Sequence, residues 1–157
     1  MEIVNIRLDS RLIHGQTAAM WTGTLKATRI MVIDNDVVKD DMMKSLLRMA
    51  CPKACKLCVL DTKVATANIK MRKYEGDRIF IIVKTSATLV ELLKCGFPLA
   101  DVTIGNINGR NDSRAIMKTI CVTPDDEDNF HYLHEHGVRM FAQMVPSNAR
   151  EDFMKLL

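Results

Sequence analysis

The stretch Arg78-Ile79-Phe80-Ile81-Ile82-Val83 decides the fold, because five of its six residues are large and apolar. A strand with apolar side chains at successive positions has both faces buried, which is typical of a parallel sheet covered by helices on both sides. Polar residues follow at 84–86, and the next segment, 88–94, has the composition of a helix that Gly96 would end in a left-handed cap. This buried strand followed by a helix indicates an α/β unit.

The same alternation extends along the chain in both directions. Strands are expected over 3–8, 29–33, 55–60, 101–104, 116–122 and 138–144, and helices over 16–25, 40–50, 62–74, 124–136 and 149–157. Alternating strands and helices predict an α/β fold, with a mostly parallel, open, twisted sheet and helices on both faces. The length of 157 residues predicts a single domain over residues 1–157.

Composition excludes several classes of function. Lys and Arg number 22 and Asp and Glu 19, so the net charge of +3 is far below the dense basic face of a nucleic-acid binder. Aromatic residues are only 5% of the chain, which also disfavours single-stranded nucleic acid as a partner. No stretch approaches the roughly 18 apolar residues of a membrane span. Five cysteines, an odd number, and the lack of a secretory leader favour a reduced, cytoplasmic protein.

The loop after the first strand contains the residues that most clearly indicate a chemical function. It reads Arg7-Leu8-Asp9-Ser10-Arg11-Leu12-Ile13-His14-Gly15-Gln16-Thr17 and precedes a helix. Guanidinium groups and the amides of a helix start, here at Gly15 and Gln16, both suit phosphate. A neutral His14 can act as the nucleophile toward phosphorus, and Asp9 could orient its ring. In such sheets ligands bind at the carboxyl ends of strands, so an anion or phosphoryl site is expected among the loops after strands one, four and five.

Other polar residues offer weaker candidates. Ser86, after the fourth strand, is a candidate phosphate contact, although it could equally cap the next helix. Cys51, Cys55 and Cys58 lack a second pair at zinc-finger spacing, and of the histidines at 131, 134 and 136 only the first two share a helix face. No metal and no cofactor is therefore expected.

The segment Arg7–Gln16 closely resembles the signature of the IIB components of bacterial sugar phosphotransferase systems, of the mannose/fructose/sorbose class. The resemblance covers nearly the whole chain, and it continues through residues 32–36, 84–85, 96–98, 102–106, 143–146 and 155–157. Two positions depart from the family pattern. Ser10 stands where a second acidic residue is usual, and the region 105–110 differs from the commoner run of small residues.

This resemblance implies a relay. His14 would accept a phosphoryl group from a phosphohistidine of a IIA partner and pass it to a sugar held by membrane-embedded IIC and IID subunits. The activity would be that of a protein-Npi-phosphohistidine–sugar phosphotransferase. Arg7, Arg11 and Asp9 match the residues that flank the family's histidine. The protein would lie in the cytoplasm, held at the inner face of the membrane by its permease partners. Mannose, fructose, sorbose and N-acetylgalactosamine all remain open as the sugar, as does association with a second copy.

Two other functions remain as alternatives. The run Ile13-His14-Gly15 is reminiscent of histidine phosphatases and phosphomutases, but their motif has an arginine directly before the histidine and needs a second catalytic histidine. A non-catalytic, anion-sensing regulatory domain is the other alternative. A dinucleotide is disfavoured, because no G-x-G-x-x-G follows the first strand.

Overall fold

The computed structural model describes residues 1–157 and contains nine strands and six α-helices. The strands are β1 (Glu2–Asp9), β2 (Arg29–Ile33), β3 (Lys56–Leu60), β4 (Arg78–Val83), β5 (Asp101–Asn106), β6 (Arg114–Met117), β7 (Ile120–Val122), β8 (Arg139–Ala142) and β9 (Glu151–Asp152). The helices are α1 (Gly15–Leu25), α2 (Asp41–Ala50), α3 (Thr62–Lys70), α4 (Ser86–Lys94), α5 (Pro124–Glu135) and α6 (Phe153–Leu156). None of the helices is long and apolar enough to cross a lipid bilayer.

Seven strands form one sheet in the order β3-β2-β4-β1-β5-β8-β9. All neighbours pair in parallel except the two-residue edge strand β9, which runs antiparallel to β8. Buried residues of α1 and α2 pack on one face of this sheet, and those of α3, α4 and α5 pack on the other. The expected α/β fold, with a mostly parallel sheet between two layers of helices, is confirmed.

The central strand β4 shows why its sequence is apolar throughout. Ile79, Ile81 and Val83 enter the larger core cluster, beneath α3, α4 and α5. Phe80 and Ile82 enter the smaller cluster, beneath α1 and α2. Because successive side chains of a strand point to opposite faces, a strand between two helical layers needs apolar residues at every position.

Two predictions near the C-terminus were wrong. The single strand expected over 116–122 is a hairpin, in which β6 and β7 pair antiparallel. The helix expected over 149–157 is reduced to α6, because residues 151–152 instead pair with β8 and cover the edge of the sheet. An edge strand has unpaired backbone groups, so pairing with β9 competes with helix formation here. Phe153 then packs edge to face on Phe130, with 4.8 Å between ring centroids.

The order of the strands determines where a ligand can bind. After β1 the chain enters α1 on one face of the sheet. After β4, a neighbour of β1, it enters α4 on the opposite face, and after β5, the other neighbour, it forms the β6–β7 hairpin and then α5 on that same face. The loop that leaves β1 therefore lies at the point where the direction of the connections reverses. Such a point leaves a crevice at the carboxyl edge of a parallel sheet.

Candidate functional site

The loop between β1 and α1 has an unusual backbone. Leu12 has a φ of +60° and Gly15 a φ of +44°, both in the left-handed region. This conformation costs a non-glycine residue about 1–3 kcal/mol, and it persists only where the surroundings hold it. Leu12 and Ile13 are 5% and 6% exposed and belong to the core cluster under α1, and the Leu12 N–H donates to the Asp9 carbonyl at 2.9 Å. Burial of these two side chains thus holds the loop in a fixed shape.

His14 is the residue that this shape presents to solvent. It is the N-cap of α1, with an extended backbone, and its exposed side chain does not cap the helix. The imidazole ring makes no hydrogen bond to the protein. Because the first amides of a helix have no partner within it, the N–H groups that follow His14 at Gly15, Gln16 and Thr17 are free to bind an anion. The structure therefore combines an accessible imidazole with the positive end of an 11-residue helix.

Asp9 joins two guanidinium groups in the segment that leads to His14. Its Oδ2 accepts hydrogen bonds from Arg7 Nε at 3.3 Å, from Arg7 Nη2 at 3.2 Å and from Arg11 Nη2 at 3.0 Å. Its Oδ1 accepts from the Arg11 backbone N–H and from Arg11 Nε, each at 3.0 Å. The Asp9 side chain is 2% exposed, whereas that of Arg11 is 22% exposed. The carboxylate therefore fixes the direction of an arginine that still reaches solvent.

Arg7 lies beneath this pair, inside the protein. It is 1% exposed, and its Nη1 donates to the carbonyl oxygen of Gln143 at 2.9 Å. Its guanidinium carbon lies 5.1 Å from the ring centroid of Trp21. On another side it approaches Gly105, where an added Cβ would lie 2.0 Å from that same carbon. Burial lowers the pKa of the Arg7 guanidinium, and the charge and hydrogen bonds of Asp9 oppose that shift.

The structure shows what the side chains of two of these predicted residues contact. Arg7 was expected to bind phosphate, but its side chain is buried and points into protein contacts rather than toward solvent. Asp9 was expected to orient the imidazole, yet both of its oxygens accept from the two arginines and none of its hydrogen bonds goes to His14. The physical reason is charge: a buried carboxylate between two guanidiniums is satisfied by them first.

Ser86, the other predicted phosphate contact, hydrogen-bonds to α5. Its hydroxyl donates to Asp126 Oδ1 at 2.7 Å and accepts from Asn129 Nδ2 at 3.0 Å, so α5 occupies it. The prediction that Ser86 caps α4 was wrong: Thr85 is the N-cap, and its hydroxyl accepts from the Thr88 N–H at 3.2 Å. Ser86 does line a cavity of about 210 Å³, which also borders Ser10.

Ser10 and the region 105–110, the two positions that differ from the family pattern, are in contact. The Ser10 N–H donates to the carbonyl of Asn106 at 2.9 Å, and its hydroxyl accepts the N–H of Asn108 at 2.9 Å. The two unusual segments are therefore in direct contact, with neutral hydrogen bonds between them. Contact between residues 98 positions apart is not visible in the order of the sequence.

Gly105, Gln143 and Trp21 were missed as parts of the site. Each contacts the buried guanidinium of Arg7 inside the protein. Only Gly105 has a recognisable sequence feature, since a glycine directly after an apolar strand run often marks a close approach by another group.

Residues considered for metal binding are dispersed. The thiols of Cys55 and Cys58 approach different backbone carbonyls, those of Ala27 at 3.3 Å and Ile30 at 4.0 Å. All five cysteines are free, and no three His, Cys, Asp or Glu side chains are grouped so that they could hold a metal ion.

Comparison with known proteins places the chain among transport components. A family model described as "PTS system sorbose subfamily IIB component" matches residues 3–157. The chain is 32% identical over 154 residues to the sorbose-specific EIIB component of the PTS system of Lacticaseibacillus casei, covering 98% of this chain and 94% of that one. It is 31% identical to the fructose-specific EIIB component of Bacillus subtilis, with 100% and 96% covered. The crystal structure of the IIBSor domain of the sorbose permease from Klebsiella pneumoniae superposes with a TM-score of 0.93 at 27% identity, with 99% and 96% covered.

Proposed function

The chain belongs to the sorbose subfamily of phosphotransferase-system IIB components, a family of transferases that relay phosphoryl groups in sugar uptake, and from this premise we propose that His14 is its phosphoryl carrier. One observation carries the proposal. The His14 ring is exposed and unpartnered at the start of α1, in a loop whose Arg11 is aimed by a buried carboxylate. The family match does not favour the phosphatase or the anion sensor.

The proposed transfer is an exchange of one phosphorus–nitrogen bond for another. A lone pair on one ring nitrogen of His14 attacks the phosphorus of the donor's phosphohistidine. As the new bond forms, the donor's bond breaks and its electron pair returns to the donor ring. The donor ring takes up a proton and the His14 ring loses one, so the charge balances. Passage to the sugar hydroxyl repeats the exchange with oxygen as the new partner.

The proposed roles of the neighbours follow from their exposure. In the transition state the negative charge is spread over the three equatorial phosphoryl oxygens. Arg11 and the amides at Gly15 and Gln16 can support that charge, because the Arg11 side chain reaches solvent and the two amides lie at the exposed start of α1. Arg7 acts through Asp9, which it holds in place, so we assign it a positioning role instead of phosphate contact.

The charges of this group suit a relay. Arg7, Asp9 and Arg11 together carry a formal charge of one positive unit, because the buried carboxylate offsets one guanidinium. Two guanidiniums without the carboxylate would bind the phosphorylated ground state as tightly as the transition state, and such binding would not speed transfer of the phosphoryl group to the next acceptor. A single net charge supports transfer without trapping the phosphoryl group.

We propose that the donor is a IIA phosphocarrier and that the acceptor is a sugar held by membrane IIC and IID subunits. The full activity would then be that of a protein-Npi-phosphohistidine–sugar phosphotransferase, with residues 1–157 acting as one IIB unit held at the membrane through its partners. Family membership supports this assembly, since IIB components work between IIA and the membrane subunits. Selectivity for one sugar is then a property of the membrane partners.

Phosphoryl transfer to a His14→Gln variant tests the proposal. Wild-type protein and variant are incubated with labelled phosphoenolpyruvate, the general phosphotransferase proteins and the cognate IIA. We expect about one acid-labile phosphate per wild-type chain, located by mass spectrometry at His14, and none on the variant. Gln16→Ala, in the first turn of α1, serves as the control, because it leaves the imidazole and the backbone N–H groups intact and should still be labelled. Stoichiometric label on His14→Gln would show that another residue is the carrier.

A further inference from the structure

The outer face of α2 is apolar and uncovered. Six large apolar side chains are exposed in the whole chain, and three of them lie at spacing i, i+4, i+7 on this helix: Met42 at 76%, Leu46 at 52% and Met49 at 82%. Residues with this spacing share one helix face. Leu47, on the opposite side, is buried in the core. We refer to Met42, Leu46 and Met49 as the methionine face.

This face lies on the same side of the sheet as His14. Helices α1 and α2 pack in one core cluster, and both begin at the carboxyl edge of the parallel sheet, α1 after His14 and α2 after Asp40. Strands β1 and β2 are separated only by β4, so their ends are about 10 Å apart at the usual strand spacing. The methionine face runs about 10 Å along α2 from its Met42 end. A partner that covers His14 and extends across α1 on this side of the sheet would therefore come to α2.

We propose that the methionine face docks the IIA protein that delivers the phosphoryl group, an inference that rests on the proposed function. The size of the face favours a transient partner. A stable interface takes about 20–30 residues from each side, so three residues are too few for a permanent dimer or for permanent attachment to membrane subunits. A donor that must leave after each transfer needs only a small interface.

The chemistry of the face points to protein rather than lipid. Methionine has a flexible and polarisable side chain, and it is common on surfaces that adapt to the shape of a partner. Helix α2 has no Trp or Tyr, the residues typical of a membrane interface. Both signs of charge lie near the face: Lys39, Arg48 and Lys53 are exposed and make no ion pair, and Asp40 and Asp41 are exposed at the start of α2. Charged residues at the rim of an interface act mainly on the rate of encounter, so the apolar side chains should provide most of the docking energy.

The test is a triple variant, Met42→Gln, Leu46→Gln and Met49→Gln, assayed for transfer from phosphorylated IIA at increasing IIA concentration. We expect the KM for IIA to rise by about tenfold, equivalent to about 1.4 kcal/mol, with kcat nearly unchanged. Met71→Gln is the matched control, since Met71 is 68% exposed but follows α3 on the other side of the sheet. Phosphorylation by phosphoramidate, a small donor that needs no docking surface, should be equal in all three proteins.

Three outcomes would overturn the docking proposal. The first is an unchanged KM for IIA in the triple variant while the wild type is labelled normally. The second is normal transfer from IIA but slow sugar phosphorylation with permease-containing membranes, which would assign the face to the membrane subunits. The third is a wild-type dimer in sedimentation velocity that the triple variant converts to a monomer. If IIA does not phosphorylate the wild type at all, the proposed function fails together with the docking.

Discussion

Arg11 is the guanidinium at the site that combines a fixed direction with access to solvent. Two of its nitrogens and its backbone N–H all donate to Asp9, at 3.0 Å each, and its side chain remains 22% exposed. An arginine held in this way is positioned before the phosphoryl group arrives, so little reorganisation is needed during transfer. Its contribution should therefore appear mainly in the rate of transfer.

We expect Arg11→Ala to slow transfer from phospho-IIA by about 100-fold, the usual cost of removing one preorganised donor from a transition state. Rapid-quench measurement of label transfer gives the rate, and urea denaturation gives the free energy of unfolding. Arg11→Lys keeps the charge but loses the planar fork, so it should recover only part of the rate. An unchanged rate in Arg11→Ala would exclude a role for this guanidinium in transfer.

At the scale of elements, the site depends on how closely β5 approaches the side chain of Arg7 on β1. The two strands are neighbours, with Arg7 opposite Thr103, and Gly105 lies two residues further along β5. A Cβ at Gly105 would lie 2.0–2.3 Å from three atoms of the guanidinium. Trp21 on the other side leaves the guanidinium little room to move away. The absence of a side chain at Gly105 on β5 therefore makes room for the guanidinium of Arg7 on β1.

We expect Gly105→Ala to lower the free energy of unfolding by about 1–3 kcal/mol, the usual cost of overpacking. Transfer should also slow in the folded protein, because displacement of Arg7 disturbs Asp9 and, through it, Arg11. Gly109→Ala is the control, since its Cβ would meet only Cys121 Sγ and Ser113 Oγ, both at 3.8 Å. Chemical denaturation and transfer kinetics are measured on both variants. Equal behaviour of the two would show that Arg7 can shift without consequence.

At the scale of the whole molecule, a second charge network stabilises the edge of the sheet opposite to His14. Asp77, just before β4, accepts hydrogen bonds from Arg29 Nε at 2.8 Å and Thr28 Oγ1 at 3.1 Å, and Lys56 Nζ lies 3.6 Å away. Burial acts to raise the pKa of Asp77, but these hydrogen bonds and cations outweigh it and leave the pKa below its usual value. This carboxylate links the amino ends of β2, β3 and β4.

An aspartate in the unfolded chain has a pKa of about 4. Because the pKa of Asp77 is lower than this in the folded protein, its charge stabilises the fold fully above about pH 4, and this stabilisation is lost as the pH falls through the pKa of the folded state. We expect Asp77→Asn to lower the free energy of unfolding at pH 7 by about 1.5–3 kcal/mol, as for a lost hydrogen bond to a charged group. The variant should also lose less further stability on acidification. Urea denaturation at pH 7, 4 and 3 measures both effects.

Transfer kinetics give the control for Asp77→Asn. Because Asp77 lies at the opposite edge of the sheet from His14, the transfer rate of the folded variant should equal that of the wild type. An identical loss of stability in variant and wild type between pH 4 and pH 3 would contradict the assigned role of Asp77.

Local sequence predicted the elements wherever burial alone decides them. The apolar run at 78–83 predicted a strand buried on both faces, and Thr123-Pro124 with acidic residues predicted the start of α5, where the structure has a capping box between Thr123 and Asp126. The hairpin at 114–122 and the edge strand at 151–152 were missed. The hairpin was missed because it turns at Lys118 and Thr119, which are not typical turn residues. The edge strand was missed because its pairing depends on an open edge of the sheet, which a local pattern does not contain.

For the site, sequence by itself determined that an imidazole, two guanidiniums and a carboxylate leave the first strand together, and it predicted the family. Only the tertiary structure decided which of these groups faces solvent. Arg7 and Arg11 have the same side chain, yet β5 and α1 enclose that of Arg7 and leave that of Arg11 accessible to solvent. The reason is that burial depends on packing between elements, here on Gly105 and Trp21, which lie 98 and 14 residues away from Arg7.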